Sequence, residues 1–285
     1  MDNDVKIKQL VREKYSAIAE QSQTQNATSC CGATSSCCGD EVYNIMADDY
    51  TTLEGYHADA DLGLGCGLPT EYAKIKEGDT VIDLGSGAGN DAFIARRLTG
   101  EKGKVIGVDF TPAMVNKARA NAEKLSLINV EFRLGDIDDM PVTSNFADVI
   151  VSNCVLNLVP DKYKVISEIF RVLKPGGHFS ISDIVLEGPL PAKWKEVAEL
   201  YAGCVSGAIQ KQVYLEIIEQ AGFKNIVLQK DKVITIPDNI LANYLSAEEI
   251  NEYKKGVTKI ISITVYAEKP VKDQKSCCTP GSGCC

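Results

Sequence analysis

The sequence predicts an α/β fold, a doubly wound and largely parallel sheet of seven strands with helices on both faces. Three observations carry that expectation. Short apolar runs recur from Thr80 onward, helix-like segments stand between them, and two further strand-like runs arrive late, near the C-terminus. Strands that read as continuous apolar stretches are buried on both faces, as happens when strands alternate with crossover helices.

The elements follow in order. "TVIDL", "KVIGVD" and "VEFRLGD" read as the first three strands and "ADVIVSN" as the fourth. A helix is expected from Lys162 to Leu173, ended by the breaker "KPGG", and "HFSISDIV" is the fifth strand. "YLEIIEQAGF" has the apolar spacing of an amphipathic helix stopping at Gly222; it leads to "NIVLQ" and, after an insertion, to "IISITVYAEK". The stretch from about Leu186 to Gln210, with Trp194, Tyr201 and "GCVSGA", interrupts the succession and is expected to cap the site. Residues 1–40 hold a charged, helix-like opening and a Cys-rich segment, 41–270 form one domain, and 271–285 are a second Cys-rich tail. Both ends are expected to be flexible, so a chain trimmed to about 40–270 is expected to keep its fold and cofactor binding.

Composition narrows the function. A chain of 285 residues with 45% apolar content can bury a large core, which allows a folded enzyme. The opening "MDNDVKIKQLVREKYSAIAE" lacks an apolar signal core, and no later run approaches the roughly 18 apolar residues of a membrane span, so a soluble cytosolic protein is expected. A net charge of -9 without a basic stripe argues against nucleic acid as a partner. Eleven cysteines in a chain of this kind point to metal, metalloid or redox chemistry ahead of a disulfide framework.

"VIDLGSGAGND" puts Gly85, Gly87 and Gly89 between a strand and a helix, where backbone must turn tightly and approach a ligand. The next strand closes on Asp109, about 20 residues further on, where a carboxylate can accept hydrogen bonds from ribose hydroxyls; the third closes on Asp136, placed to meet an adenine amino group. NAD is the rival ligand, but acidic Asp83 ahead of the loop suits a cationic one. Together "DLGSGAGND", "VDFTPAMV", "GDIDDMP" and "VLKPGG" resemble the class I S-adenosylmethionine-dependent methyltransferases, with their Rossmann-like sheet, over Thr80 to about Ile184. The resemblance implies cofactor contacts from Asp83, Gly85, Ser86, Gly87 and Gly89 in the first motif and from Asp109, Phe110 and Met114 in the second. Asp136 and Ile137, with Asn153 at the end of the fourth strand, complete that implied set.

Three cysteines lie outside the terminal segments: Cys66 in "LGLGCGLP", Cys154 in "VSNCVLNLVP" and Cys204 in "YAGCVSGA". Taken singly, each could be a small buried hydrophobe. Their phrases, above all "NCVLNLVPDK", are similar to those of the arsenite S-adenosylmethionine methyltransferases, whose three corresponding cysteines hold trivalent arsenic. That resemblance implies that Cys66, Cys154 and Cys204 bind arsenic as substrate and carry the catalysis. A thiophilic centre prefers thiolates to oxygen ligands, and three of them leave the arsenic lone pair facing outward. Such a nucleophile has no proton to lose and needs no general base, which accords with only two histidines, His57 and His178, neither expected to be catalytic.

Methylation oxidises arsenic formally, so each further round needs two electrons from thiols, with thioredoxin or glutathione as the expected reductant. The remaining eight cysteines form CC pairs, Cys30–Cys31, Cys37–Cys38, Cys277–Cys278 and Cys284–Cys285, separated by five residues within each tail. They lack the C-x-x-C spacing of common zinc sites and are expected to assist capture or reduction. Two other functions fit the same residues: a class I methyltransferase acting on another small molecule, such as a quinone or sterol precursor, and a thiol-rich metalloid-binding protein on a scaffold that has lost catalysis.

Overall fold

The computed structural model describes residues 3–20, 48–189, 207–235, 238, 242, 246–255 and 259–271. All seven strands are present: β1 (Thr80–Leu84), β2 (Lys104–Asp109), β3 (Val130–Leu134), β4 (Ala147–Asn153), β5 (Leu173–Glu187), β6 (Lys224–Ile234) and β7 (Lys259–Glu268). They form one sheet in the order β3-β2-β1-β4-β5-β7-β6. The first five run parallel, and β7 is antiparallel to both β5 and β6.

Alternation along the strands builds two cores. From β1, Ile82 and Leu84 face one side with Ile106, Ile150 and Phe179, under Val165, Ile166 and Ile169 of helix α5 (Lys162–Val172). Val81, Val105, Val149 and Val151 face the other side, against Ala92, Phe93 and Ala95 of α3 (Asn90–Thr99) and Val115 and Ala118 of α4 (Pro112–Lys124). A short helix α2 (Pro69–Tyr72) precedes β1, α6 (Lys211–Gln220) follows the capping stretch, and α7 (Ala247–Lys255) lies in the insertion before β7. Helix α5 starts where expected because the Asp161 side chain accepts the Lys164 N–H at 3.0 Å, a side-chain cap.

Three findings refine the sequence reading. The "KPGG" turn ends α5 but is absorbed into β5, which begins at Leu173; its residues form an irregularity in which Ala147 pairs with Leu173 and Val149 already with His178. Gly176 takes φ 83° there, and the chain after β7 supplies partners through Gly176 N–H to Lys269 O (2.9 Å) and Lys269 N–H to Gly177 O (2.8 Å).

The second concerns the N-terminus. The helix-like opening is α1 (Asn3–Glu20), and it is docked on the domain, contrary to the expectation that this end is a loose tail. Ile18 and Ala19 are buried with Leu62, Ala88 and Met114, and the Lys117 ammonium donates to Ala19 O at 3.0 Å. The apolar residues of α1 that face the domain account for this, since leaving them in water would forgo their burial free energy. Third, the capping stretch is described only at its ends, Leu186–Pro189 and Gly207–Gln210, where Leu186 and Gln210 form a parallel bridge. Trp194, Tyr201, Cys204 and all eight terminal cysteines lie outside the described residues.

Candidate functional site

The carboxyl ends of β1, β2, β3 and β4 open into one crevice enclosing about 1020 Å³ including its mouth. Its walls include Asp83 near the end of β1 and Gly85, Ser86 and Gly87 after it, with Asp109, Phe110 and Met114 around the end of β2. Asp136 and Ile137 follow β3, and Asn153 and Cys154 close β4. Gly85 has φ 64°, and a β-carbon there would lie 2.4 Å from a Val155 methyl, so no other residue fits its conformation and surroundings. Gly89 is not on the wall; it packs against the Phe93 and Phe132 rings as the residue before α3.

The site is rich in buried acid. Burial, reinforced by the charges of Asp91 and Asp109, holds the Asp83 carboxyl well above the usual carboxylate range. Burial also raises Asp109, against the pull of two backbone donors: Thr111 N–H at 2.8 Å and Gly87 N–H at 3.0 Å. Asp109 therefore anchors the glycine loop as well as facing the crevice. Asp91, in the first turn of α3, is pushed up to about 6 by burial, opposed by hydrogen bonds from Tyr50, Asn153 and Thr70. In β5, Asp183 is wholly buried and pushed up to about 7, again by burial.

The thiol side is built from two segments far apart in sequence. Cys154 follows β4 with φ 60°, its N–H donating to Ser182 O at 2.8 Å. Cys66 is 1% exposed, in a loop whose backbone is tied to the residue beside Cys154: Cys66 N–H donates to Asn153 Oδ1 at 2.9 Å. The Ser262 hydroxyl donates to Cys66 O at 2.6 Å. Burial first, then the charges of Asp183 and of the two cysteine sulfurs, hold the Tyr214 phenol well above its ordinary value. Cys154 lines the crevice; Cys66 is not on the wall, but its chain neighbour Gly65 is.

Neither histidine is on the wall. The His178 ring lies 2.6 Å from Ala73 O through Nε2 and 5.1 Å from the Tyr266 ring, and His57 contributes its carbonyl to a turn closed by Ala60 and Asp61. Among the wall residues the sequence reading missed are Lys8 and Tyr15 of α1, Tyr50, Asn90 and Asp91. Lys8 bridges Asp136 (3.2 Å) and Asp138 (3.0 Å), and the Arg12 guanidinium stands 5.4 Å from the Phe110 ring centre. Of these, Asp91 left a local signal, an acid in the first turn after the glycine loop; Tyr50 and Lys8 reach the site only through tertiary packing.

A parallel sheet whose last strand slips in reversed between its neighbours, with a ligand crevice over β1 and β2, is the architecture of the class I S-adenosylmethionine-dependent methyltransferases. A family model described as a methyltransferase domain matches residues 75–222. An arsenite methyltransferase of Halobacterium salinarum is 38% identical over 93% of this chain and 67% of its own length; the Homo sapiens arsenite methyltransferase is 34% identical over 66% and 52%. The solved structure of an arsenic(III) S-adenosylmethionine methyltransferase from Chlamydomonas reinhardtii superposes with a TM-score of 0.62 at 34% identity, covering 74% of this chain and 69% of that one. The chain belongs to the arsenite methyltransferase family. It spans about two thirds of the Halobacterium protein and about half of the human one.

Proposed function

We propose that the protein transfers methyl groups from S-adenosylmethionine to trivalent arsenic held by the thiolates of Cys66, Cys154 and Cys204. The observation that carries this reading is the pair of buried cysteines from distant segments, joined through Asn153 at the edge of the cofactor crevice. Burying two thiols there serves no evident packing need that apolar side chains would not meet.

The crevice suits the cofactor chemically. Buried Asp83 Oδ2, Ser86 Oγ and Asn90 Oδ1 have no hydrogen-bond partner among the described residues, a costly state that a ligand bearing ammonium, hydroxyl and amino groups relieves. Asp83 is assigned to the amino-acid end, Asp109 to the ribose hydroxyls and Asp136 to the adenine amino group, with Phe110, Met114 and Ile137 as apolar walls. Ser86, Gly87 and Gly89 shape the loop. Bound S-adenosylmethionine supplies a methyl group on a cationic sulfur, and the buried acids of the crevice favour that charge.

On the substrate side, uptake exchanges arsenic–oxygen or arsenic–thiol bonds for bonds to the cysteine sulfurs, each thiol proton leaving with the displaced group. The sulfur ligands then hold the arsenic lone pair outward. A nucleophile without a proton explains why neither His57 nor His178 is needed. The product has gained a methyl group and lost two electrons from arsenic, and a thiol pair closing to a disulfide returns them. Thioredoxin or glutathione is the proposed reductant, the terminal CC pairs are proposed to assist capture or reduction, and the cytoplasm is the proposed compartment. No helix among the described residues is long and apolar enough to cross a membrane.

The test is transfer of labelled methyl from S-adenosylmethionine to arsenite in excess thiol, with products separated chromatographically. Methylated arsenic is the expected product. Label appearing only on a quinone or sterol acceptor, or retained in the cofactor, overturns the reading.

A further inference from the structure

A loop without regular structure is a poor platform for a ligand atom, yet the Cys66 loop has to present its sulfur at a fixed distance from Cys154 and from the cofactor. The polar groups around it form a closed network. Tyr50 Oη lies 2.9 Å from Asp91 Oδ2 and 3.0 Å from Gly67 O; Asn153 Nδ2 lies 2.8 Å from Gly67 O, 3.3 Å from Asp91 Oδ2 and within hydrogen-bond reach of Tyr50 Oη. Thr70 Oγ1 approaches Asp91 at 3.5 Å, and Asn153 Oδ1 accepts Cys66 N–H.

Donor counting leaves one consistent arrangement. Tyr50 has a single hydroxyl proton and Asp91, when ionised, only accepts, so the tyrosine donates to the carboxylate. Asn153 then gives one amide proton to Gly67 O and the other to the tyrosine oxygen, shared with Asp91 Oδ2 at 3.3 Å, while its carbonyl takes Cys66 N–H. Tyr50, Asp91 and Thr70 are interior, at 5%, 8% and 2% exposed, and Asn153 is half-buried. Space is equally tight, since a β-carbon on Gly65 would lie 2.6 Å from Asn153 Nδ2 and one on Gly67 would lie 2.5 Å from Ser182 Oγ. The network therefore joins the first turn of the cofactor helix α3, the Cys66 loop and the residue preceding Cys154.

We propose that Asp91, acting through Tyr50 and Asn153, is a positioning residue that sets the first thiol ligand, Cys66, in register with Cys154 and the cofactor. The proposal rests on the arsenic reading for its consequence and on geometry alone for its existence. Cutting the network at Asp91 or Tyr50 frees the Cys66 loop while leaving all three cysteines in the chain.

Two measurements on Tyr50→Phe and Asp91→Asn test it, and the first needs no arsenic. Alkylation of individual cysteines by iodoacetamide, read by peptide mass spectrometry, should be about tenfold faster at Cys66 than in the parent, with Cys154 little changed. In the second, turnover with arsenite should fall about tenfold to a hundredfold, the scale of a misplacement near 1 Å. Turnover with monomethylarsenite, which requires only two sulfur ligands, should fall severalfold less than turnover with arsenite. An unchanged Cys66 alkylation rate overturns the proposal. So does an equal loss on both arsenicals accompanied by lost cofactor affinity, which would make Asp91 a cofactor ligand. If Asp91→Asn does not fold, Tyr50→Phe, which removes one oxygen and keeps the ring, carries both measurements. If the parent methylates neither arsenical but shows the alkylation contrast, the arsenic reading fails and the positioning network stands.

Discussion

At the scale of single residues, Asp109 anchors the glycine loop from a place on the crevice wall. Its position at the end of the second strand marks it in the sequence as the expected ribose acceptor; its hold on the Gly87 and Thr111 amides leaves no such mark, because both bonds depend on how the loop folds back. Asp109→Ala should therefore weaken S-adenosylmethionine binding by about 1.5–3 kcal/mol, the range for charged hydrogen bonds, and toward the upper end because the loop loses its anchor too. Calorimetric titration checks this, and an unchanged dissociation constant would remove Asp109 from the site. The phrases around Cys66 and Cys154 mark them in the sequence as expected ligands, whereas no local pattern marks Tyr50. A tyrosine from one loop meeting an asparagine 103 positions later leaves no periodic trace.

At the scale of elements, the strands were legible because fully buried parallel strands write themselves as unbroken apolar runs. The N-terminal helix shows the opposite case. Ile7, Val11, Tyr15 and Ile18 recur at helical spacing, so the signal for a buried face was present but outweighed by the charged residues around it. The expectation that trimming to about residue 40 spares cofactor binding is accordingly reversed. Deleting residues 1–20 removes Lys8 and Tyr15 from the crevice wall and uncovers Met114, Ala88 and Leu62. The deletion should weaken S-adenosylmethionine binding at least tenfold, about 1.4 kcal/mol. Lys8→Ala should weaken it less, since the ammonium is partly exposed and its pairing with Asp136 and Asp138 is screened by solvent. Affinity equal to that of the full chain in the deletion would show that α1 is a bystander.

At the scale of the whole molecule, the fold carries buried acids that stabilise it unevenly with pH. Asp183 is pushed up to about 7 by burial, with Lys162, the Ile184 amide and Tyr214 opposing. An acid whose folded value exceeds its unfolded one holds its proton more tightly when folded. Its contribution is thus complete below about pH 4, near the unfolded value, and is lost as pH rises to about 7. The loss amounts to about 4 kcal/mol at most, three units at 1.36 kcal/mol each. Melting temperatures from pH 4 to 8 should show the parent declining relative to Asp183→Asn over that window, and parallel curves would contradict the assignment.

The claim on which the account turns is that arsenic is held by sulfur from Cys66 and Cys154 at the rim of the cofactor crevice. X-ray absorption at the arsenic edge, on protein loaded with one equivalent of arsenite and with the terminal CC pairs replaced by serine, reads the ligand atoms directly. Three sulfur neighbours are expected in that protein, and one fewer, with an oxygen in its place, when Cys66→Ser or Cys154→Ser is added. Oxygen ligation from the outset, or an unchanged sulfur shell in both cysteine variants, would place the arsenic elsewhere and contradict the account.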